Sequence, residues 1–512
     1  MILGGNESVT ESGGPRATLD DIFRQAAVRH PRAIALLDPR DRMRATDGAP
    51  RRLTYAEVDR LATALAARLR GLGLPIDAVV ATQLPNTVES VVTMLGILRA
   101  GMIVAPLPLL WRKADAVVAL GRIGAKALIT STRIGAVSHG DLAVQIASEL
   151  FAIRQIFAYG SDVPDGVVPL DDLFATDKQE PPPVGRAGNP AAHVAAVTFD
   201  VTADGIVPVP RSHAQLIAGG LGPLLEGRIA LDTTILSATP VSSFAGMALT
   251  LLPWLLSGGT LALHHPFDLA AFTAQRRALH CDALVVPGSL VEPLAEIGDF
   301  DDGDLKTVLA LWRAPERLAE ATPWGGKAAL VDVLAFGEIG LTAARRGTDG
   351  RFIPLRIGPV GAPRELPDAM RVLEISRGAD GMLTLRGPMA PLDTFPPTAS
   401  GREPHFNVSA EGYVDTGYTC RPDPDGEALT ITSPPPGIAG VGGYRFVTRT
   451  LDALVAELTA DTSLFALPDA FTGQRLAGTA PDRAMVAARL AERGENALIA
   501  GAFLPRRSAI AA

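Results

Sequence analysis

The chain alternates short apolar segments with longer amphipathic ones, and this alternation restricts the folds open to it more than any other feature. In LTYAEVDRLATALAARLRGLGL, which begins at Leu53, apolar residues recur at positions 58, 61, 65 and 69, which is helical spacing. Buried-strand patterns such as AVVATQLPN and GAKALITS follow, with another helical pattern between them. Strands that alternate with helices predict parallel α/β layers.

Changes in this pattern predict the domain organisation. The region 176–195, rich in Pro, Gly and Ala, is typical of a joint, and a second α/β alternation follows it. From about residue 352 the pattern changes to short strands and turns, until the stiff segment SPPPG at Ser433 to Gly437. We expect a large N-terminal domain, 1–432, and a small C-terminal lobe, 438–512. Within the large domain we expect two α/β subdomains at about 15–190 and 191–351, and a small β-barrel at 352–432.

Composition excludes several classes of protein. A chain of 512 residues is too long for one core. Its net charge of -8, without a basic stripe, argues against nucleic acid as a partner. The two cysteines, Cys281 and Cys420, give neither a disulfide framework nor metal-ligand spacing. We therefore expect no metal site, and we expect a cytoplasmic location because reduced thiols are typical of cytosolic proteins. The most apolar window, Ala248 to Leu263, is broken by Pro and Gly, so no membrane span is expected.

A series of motifs runs in order along nearly the whole chain, from about Leu53 to Arg507. They are LTYAEVDRLATALA, LPN with LRAG and VAPLPLL, LLPWLLSGGTLALHHPFD, GPVGAPRELP, LRGPM with EGYVDTGY, and VGGYRF. In this order and spacing they resemble the adenylate-forming (AMP-binding) superfamily of acyl-CoA synthetases, firefly luciferase and peptide-synthetase adenylation domains. The resemblance implies an α/β adenylate-forming ligase fold with two α/β subdomains, a small β-barrel and a small, shortened C-terminal α+β lobe.

The same resemblance implies a chemistry. In the family, a loop rich in Gly, Ser, Thr and Lys cradles the ATP phosphates with backbone N–H groups and hydroxyls. An acidic residue holds Mg²⁺, a carboxylate clamps the ribose, and a C-terminal lysine stabilises the charge that develops at the α-phosphate. The product is an acyl-adenylate, which is usually converted to a thioester of CoA or of a carrier protein.

The segment VTFDVTADGIVPVPRSH, Val197 to His213, lies where the family has the phosphate loop TSGTTGxPKGVxxxH. The lysine position falls on Val207 or Pro208. Asp200 and Asp204 enter the bend, where they would repel a triphosphate. Two like unit charges about 4 Å apart repel by about 4 kcal/mol at an effective dielectric constant of about 20. The segment therefore resembles a phosphate loop in position but not in chemistry. The degenerate loop comprises Asp200, Thr202, Asp204 and Gly205.

The other chemical positions of the family are replaced as well. In FGEIG, Gly340 stands where the family has its Mg²⁺-associated Glu, and Glu338 is an alternative acid two residues earlier. Tyr418 stands where the family has its ribose-clamping Asp. We therefore expect no confident catalytic residue at the family positions, which are now Val207, Gly340, Tyr418, Pro434 and Ala511.

The acyl side of the site is also changed. In PVSSFAG, two serines replace the aromatic-His pair of the family, and Trp312 lies where a Gly-rich segment lines the adenine and acyl pocket. Trp312 is explained equally well by filling of the nucleotide space and by core packing. The predicted ligand pocket is formed by Ser242, Ser243, Gly246, Trp312, Phe336 and Gly337.

These patterns favour a pseudo-enzyme that binds an acyl or carboxylate small molecule, an acyl carrier protein or a partner enzyme, without a cofactor. A second hypothesis is an active carboxylate–CoA or carrier ligase that uses ATP, Mg²⁺ and CoA. That enzyme would need non-standard contacts from Arg211, Arg445, Glu338 or Asp415. A third is an ATP-independent thioester-handling enzyme that uses His213 and Ser243, although a helix start and simple packing explain these two residues as well.

Overall fold

The computed structural model describes residues 16–175, 181, 184–298, 300, 303–320, 322–361, 371–397, 403–458, 461–469 and 471–505. Within these residues the chain forms four large sheets, and a two-stranded sheet from Arg133–Ile134 and Val137–Ser138. The helices of the N-terminal region are Leu19–Arg29, Tyr55–Gly71, Val88–Arg99, Lys113–Ile123, His139–Glu149, His213–Glu226, Phe244–Gly246, Leu252–Ser257, Leu269–Leu279 and Val291–Glu296, with a π-helical turn at Met247–Leu251.

A seven-stranded sheet forms the first layer, with six parallel strands and one antiparallel edge strand, Gly205–Ser212. This edge strand contains Pro208 and Pro210, which is compatible with its place because an edge strand needs no N–H on its outer side. The order across the sheet is Gly205–Ser212, Val194–Thr202, Ile103–Pro106, Val79–Gln83, Ala127–Ser131, Gln155–Tyr159 and Val167–Pro169.

An eight-stranded sheet forms the second layer, with six parallel central strands and an antiparallel strand at each edge. Ile34–Leu37 and Arg52–Thr54 belong to this sheet, whereas the hairpin after residue 193 belongs to the first one. Sheet membership therefore does not follow the ranges 15–190 and 191–351 strictly. The order is Gly340–Arg345, Ala329–Phe336, Thr307–Trp312, Ala283–Pro287, Thr234–Ser237, Thr260–Leu263, Ile34–Leu37 and Arg52–Thr54.

A six-stranded antiparallel sheet follows. Its two edge strands, Leu355–Arg356 and Gly358–Gly361, are separated in the chain only by Ile357, so the two edges of the sheet must approach each other. The sheet is therefore curled like a small barrel. The order is Leu355–Arg356, Ala428–Ser433, Val414–Pro422, Met382–Arg386, Arg371–Arg377 and Gly358–Gly361.

The C-terminal lobe has a four-stranded antiparallel sheet with strands Tyr444–Val447, Ile438–Val441, Gly473–Thr479 and Ser463–Asp469, and helices Thr448–Ala456, Arg483–Glu492 and Ala497–Gly501. It has its own apolar core, which includes Phe446, Leu451, Val486 and Phe503. The strands on either side of Pro434–Gly437 belong to different sheets. The division between 432 and 438 stays a prediction.

The N-terminal region is held together by a core that spans both large sheets. Phe23 lies against Tyr55 and Trp254, with ring centroids about 6 Å apart. These contacts join the helix Leu19–Arg29 to the helices Tyr55–Gly71 and Leu252–Ser257. Both parallel sheets have apolar residues on both faces because helices cover them on both sides. The predicted α/β class with a small C-terminal α+β lobe is confirmed.

Candidate functional site

The segment that resembles a phosphate loop forms a tight hairpin, which we call the site hairpin, Val194–Ser212. Its two strands pair without interruption from Ala196 opposite Arg211 to Thr202 opposite Gly205. Only Ala203 and Asp204 remain for the turn, and Gly205 has a φ of +127°. The backbone groups of the two strands are therefore largely used by their own ladder. Val207, at one of the two candidate lysine positions, is fully buried.

Asp200 of the site hairpin forms a buried ion pair with the C-terminal lobe. Its Oδ1 lies 2.8 Å from Nη1 of Arg445, and its Oδ2 accepts the backbone N–H of Glu338 at 2.9 Å. Nη2 of Arg445 donates to the hydroxyl of Tyr418 at 2.9 Å. Burial alone would lower the pKa of Arg445, but Asp200 and Tyr418 raise it above its ordinary value.

The ring of Tyr418, the residue predicted to stand at the family's ribose position, is buried. It is 2% exposed, and its ring meets that of Phe336 edge-on at 5.8 Å. Burial raises the pKa of its hydroxyl, so the group stays neutral. The next residue after Phe336 is Gly337, with a φ of +57°, where a Cβ would lie 2.2 Å from Oδ2 of Asp200. Gly337 thus leaves the space that the Asp200 carboxylate occupies.

Glu338 and Arg211 lie beneath this pair in the interior. The Oε2 of Glu338 accepts the N–H of Phe244 at 2.7 Å, and burial raises the pKa of its carboxyl group. Arg211 donates to the carbonyl of Glu338 and, at 3.0 Å, to that of Ile339, and burial lowers its pKa to about 10. Glu338 and Arg211, two of the four candidates for substitute ATP contacts, thus have partners within the protein. Gly340 begins the neighbouring strand, and a Cβ there would lie 3.0 Å from the side chain of Leu385.

Arg313 connects the second large sheet to the serine pair. It follows the strand Thr307–Trp312, and its Nη2 donates to Oγ of Ser243 at 2.7 Å. Burial lowers the pKa of its guanidinium. The preceding residue, Trp312, packs on Gly288 and donates its indole N–H to Asp332 at 2.9 Å. Trp312 therefore packs against Gly288 and the neighbouring strand Ala329–Phe336, while Arg313 reaches Ser243 of the predicted pocket.

The remaining pocket residues do not surround one open space. Gly246 is buried, and a Cβ there would lie 1.9 Å from the carbonyl oxygen of Pro240. Ser242 lines a small cavity of about 10 Å³ beside Thr82 and Pro106, which is large enough for about one water molecule. The structure joins Ser243, Phe336 and Gly337 through the Arg313, Tyr418 and Asp200 contacts. Gly246 donates its N–H to Oγ of Ser243 at 3.1 Å, whereas Ser242 lies to one side.

Several predicted residues lie outside this cluster. Thr202 accepts the N–H of Asp204 at 3.3 Å at the hairpin turn, where Asp204 is exposed and lies 3.6 Å from Arg449. Pro434 is half-buried in the segment between the barrel-like sheet and the C-terminal sheet. Ala511 lies outside the described residues.

His213 does not meet Ser243 in a catalytic pair. Its Nδ1 accepts the backbone N–H of Leu19 at 3.2 Å, and burial lowers its pKa to about 3. It begins the helix His213–Glu226. In the part of the chain that the structure describes, no cluster of three His, Cys, Asp or Glu side chains is placed to hold a metal. Nor is any helix of these residues long and apolar enough to cross a membrane.

A second contact joins the C-terminal lobe to the helix Lys113–Ile123. Nδ2 of Asn496 donates to Asp115 at 3.3 Å, and the hydroxyl of Tyr444 accepts the N–H of Leu110 at 3.2 Å. Burial raises the pKa of Asp115 to about 6, and Glu495 nearby adds to this shift. These contacts, like those of Arg445 with Asp200 and of Arg317 with the carbonyls of Asp469 and Gly473, hold the lobe against the N-terminal region.

The sequence pattern assigned a role to Trp312 but none to Arg313 beside it. One signal was present: Arg313 directly follows the apolar strand pattern TVLALW, and ligands of parallel sheets bind at the carboxyl ends of strands. It named Arg445 only as a replacement for a phosphate-binding lysine. No local pattern showed that Asp200 would be its partner.

Comparisons with known proteins agree with this architecture. A family model described as "AMP-binding enzyme" matches residues 23–200. The chain is 28% identical over 485 residues to the 2-hydroxy-7-methoxy-5-methyl-1-naphthoate–CoA ligase of Streptomyces carzinostaticus, covering 88% of this chain and 81% of that protein. It is 25% identical over 480 residues to the salicyl-AMP ligase / salicyl-S-ArCP synthetase of Mycobacterium tuberculosis, covering 90% and 80%.

Solved structures share the fold. The apo structure of MbtA from Mycobacterium smegmatis superimposes with a TM-score of 0.65 at 23% identity, over 94% of this chain and 90% of that one. The amide bond synthetase McbA from Marinactinospora thermotolerans gives a TM-score of 0.71 at 17% identity, over 94% of each chain. Both similarities extend across the large domain and the C-terminal lobe.

Proposed function

The chain belongs to the adenylate-forming, acyl-CoA synthetase-like superfamily, and from this premise we propose that it is a pseudo-enzyme. In this proposal it keeps the fold of the family but does not form acyl-adenylates. It acts by binding an acyl or carboxylate small molecule, an acyl carrier protein or a partner enzyme.

The site hairpin carries this proposal. A phosphate loop needs backbone N–H groups that are free to turn toward an anion. Here the ladder continues to Thr202 opposite Gly205, so the turn has two residues. It has no lysine, and the charged side chain at the turn, Asp204, has the sign of a phosphate.

The residues present do not fit ATP and Mg²⁺. Arg445 brings its guanidinium to Asp200 at 2.8 Å, and Tyr418, which the resemblance aligns with the ribose-clamping Asp, is a buried neutral ring. The nearest acid to the family's Mg²⁺ position, Glu338, is buried and hydrogen-bonded to Phe244. In this proposal the side chains of the protein itself occupy the space of the nucleotide.

The kind of partner follows from the relatives. Their names specify a naphthoate and a salicyl group, and one of them also names ArCP. Retention of the fold with a closed nucleotide site is consistent with a protein that keeps only the acid-binding or carrier-binding half of that activity. We place the acid at the junction formed by Ser243, Phe336 and Gly337.

The active-ligase alternative is favoured by one observation. Sequence similarity to the naphthoate–CoA ligase extends over 88% of this chain and is not confined to one subdomain. An active ligase would need the Asp200–Arg445 pair to separate when ATP binds. The pseudo-enzyme and the active ligase therefore differ in whether binding of a nucleotide separates Asp200 from Arg445.

Calorimetry with ATP and Mg²⁺, combined with pyrophosphate exchange on a panel of aryl and aliphatic acids, tests the proposal. Losing one hydrogen bond to a charged group costs about 1.5–3 kcal/mol, and three or four such losses take a micromolar site beyond millimolar. We expect no saturable ATP binding up to millimolar concentration and no exchange. Micromolar ATP affinity or acid-dependent exchange would establish the active ligase instead.

A further inference from the structure

A loop of the C-terminal lobe binds the start of the helix Lys113–Ile123. The N-cap residue of this helix is Arg112, which gives no side-chain cap. The carbonyl of Gly494 in the lobe takes that place by accepting the N–H of Ala114 at 2.9 Å. Gly494 has a φ of +76°, and a Cβ there would lie 2.8 Å from Cβ of Lys113, so the close approach of the two backbones requires glycine.

Asp115, Glu495 and Asn496 meet at this contact, and we call these three residues the latch. Nδ2 of Asn496 donates to Oδ2 of Asp115 at 3.3 Å, and its Oδ1 accepts the N–H of Leu498 at 3.0 Å, which fixes the orientation of the amide. Asn496 is buried, Asp115 is half-buried, and the side chain of Glu495 is 18% exposed. Two carboxyl groups are therefore partly withdrawn from water at one interface, where their negative charges repel each other.

The cations beside the latch do not neutralise both carboxylates. Arg112 lowers the pKa of Asp115 slightly, but its Nη1 donates to backbone carbonyls of its own loop. Arg493 lies 3.9 Å from Glu495 and only 2.9 Å from Glu457. Burial is the larger effect, and it raises the pKa of Asp115 to about 6 and that of Glu495 above its ordinary value.

Other titratable groups near the latch do not change charge in the same range of pH. Tyr444 and His139 face Arg112. Burial raises the pKa of Tyr444 and lowers that of His139 to about 4, so both side chains are neutral between pH 5 and pH 8. Lys113 is paired with Glu149 at 2.7 Å. Within this set, the carboxyl groups of the latch are the groups that respond to mild acid.

Linkage gives the direction of the response. If the lobe separates from the helix, Asp115 returns to water and its pKa falls toward the ordinary value of 3.8. The docked state therefore binds a proton more tightly than the separated state. Docking is strongest below about pH 4 and weakens as the pH rises through about 6. Between pH 5 and pH 8 a pKa of about 6 corresponds to about a tenfold change in the docking equilibrium.

We propose that the latch is a proton-sensitive contact that holds the C-terminal lobe against the helix Lys113–Ile123 in mildly acidic solution and loosens as the pH rises above 6. This inference goes beyond the proposed function and does not depend on whether a nucleotide binds. A proton on Asp115 removes its repulsion with Glu495. The neutral acid keeps an oxygen that accepts the N–H of Asn496, so protonation strengthens the contact without changing its geometry.

Hydrogen exchange at single-residue resolution, at pH 5, 6, 7 and 8, tests this device. Each rate is divided by the intrinsic rate of an unstructured peptide at the same pH. The reporters are the N–H groups of Ala114, of Ala497, which bonds to the carbonyl of Leu110, and of Leu110, which bonds to the hydroxyl of Tyr444. We expect their protection to fall together by about three- to tenfold from pH 5 to pH 8, the lower figure because Asp115 is only half-buried.

Variants assign the response to the latch. Asp115→Asn keeps the size of the side chain and its acceptor, and should show the protection of the wild type at pH 5 over the whole range. Glu495→Gln should move the loosening to lower pH, because a neighbouring negative charge is removed. Glu149→Gln, which removes an exposed carboxylate paired with Lys113, is the matched control and should keep the response of the wild type. Exchange of the strand Val79–Gln83 and thermal melting check that each variant is folded.

The inference is overturned if the protection of the three reporters is the same at pH 5 and pH 8, if Asp115→Asn keeps the change, or if Glu149→Gln loses it. A change at Ala114 and Ala497 without one at Leu110 also overturns it, because the loop would then open without the lobe. ATP binding and pyrophosphate exchange report on the proposed function alone, so the failure of either proposal is distinguishable from that of the other.

Discussion

Breaking the Asp200–Arg445 ion pair should release the site hairpin from the C-terminal lobe. The perturbation is Asp200→Asn, which keeps the size of the side chain and removes its charge. At 2.8 Å the gross attraction is about 6 kcal/mol at an effective dielectric constant of about 20. Part of this offsets the desolvation of two buried groups, and removing one partner of a buried pair typically costs about 3–5 kcal/mol.

The lower end of that range applies here. In Asp200→Asn the guanidinium keeps its contact with Tyr418, so it is not left without a partner. We expect a loss of about 3 kcal/mol in the free energy of opening, which is about a hundredfold faster exchange of the protected amides. Hydrogen exchange of the site hairpin and of the strand Tyr444–Val447 measures this locally. Global unfolding of a multidomain chain would not, since it is not a two-state process.

A double-mutant cycle decides whether the pair is the cause. Arg445→Met should have a similar effect, and Asp200→Asn with Arg445→Met should add little to either, because the contact can be lost only once. The matched control is Asp204→Asn, since the Asp204–Arg449 pair joins the same two parts at 3.6 Å but is exposed. It should cost less than about 1 kcal/mol. Additive effects in the cycle, or unchanged exchange in Asp200→Asn, would refute the reasoning.

Three further predictions follow from single positions. Gly337→Ala should open the Asp200–Arg445 contact, because a Cβ there would lie 2.2 Å from the carboxylate of Asp200. The control is Gly437→Ala, at a φ of +74° in open space, which should cost about 1 kcal/mol. Hydrogen exchange of the site hairpin compares the two variants. Burial raises the pKa of Asp115 to about 6, so the folded protein holds a proton that the unfolded chain releases, and stability falls as pH rises from about 4 to 6. Asp115→Asn should therefore raise the thermal midpoint at pH 8 but hardly at pH 4, and a constant difference would contradict this. Tyr418→Asp alone should give no pyrophosphate exchange, because groups that act as one unit are strongly non-additive, and exchange in this variant would favour the active ligase.

The sequence by itself determined the α/β class, the parallel layers and the small C-terminal lobe. These follow from local periodicity: a strand pattern buried on both faces and a helix with one apolar stripe can form a core only by layering. It also determined that the segment Val197 to His213 has no lysine, and the resemblance predicts that Tyr418 and Gly340 stand where the family has acids. Such statements need only the identity of a residue and its place along the chain.

The tertiary structure decided what those residues do instead. Asp200 and Arg445 are 245 positions apart, and Ser243 and Arg313 are 70 apart, so no local pattern pairs them. The site hairpin, Val194–Ser212, tolerates Pro208 and Pro210 because its second strand is the edge of the first sheet, where the outer side needs no N–H. Charge compensation and edge position are properties of the packed chain, which is why the identity of the replacements could be predicted and their partners could not.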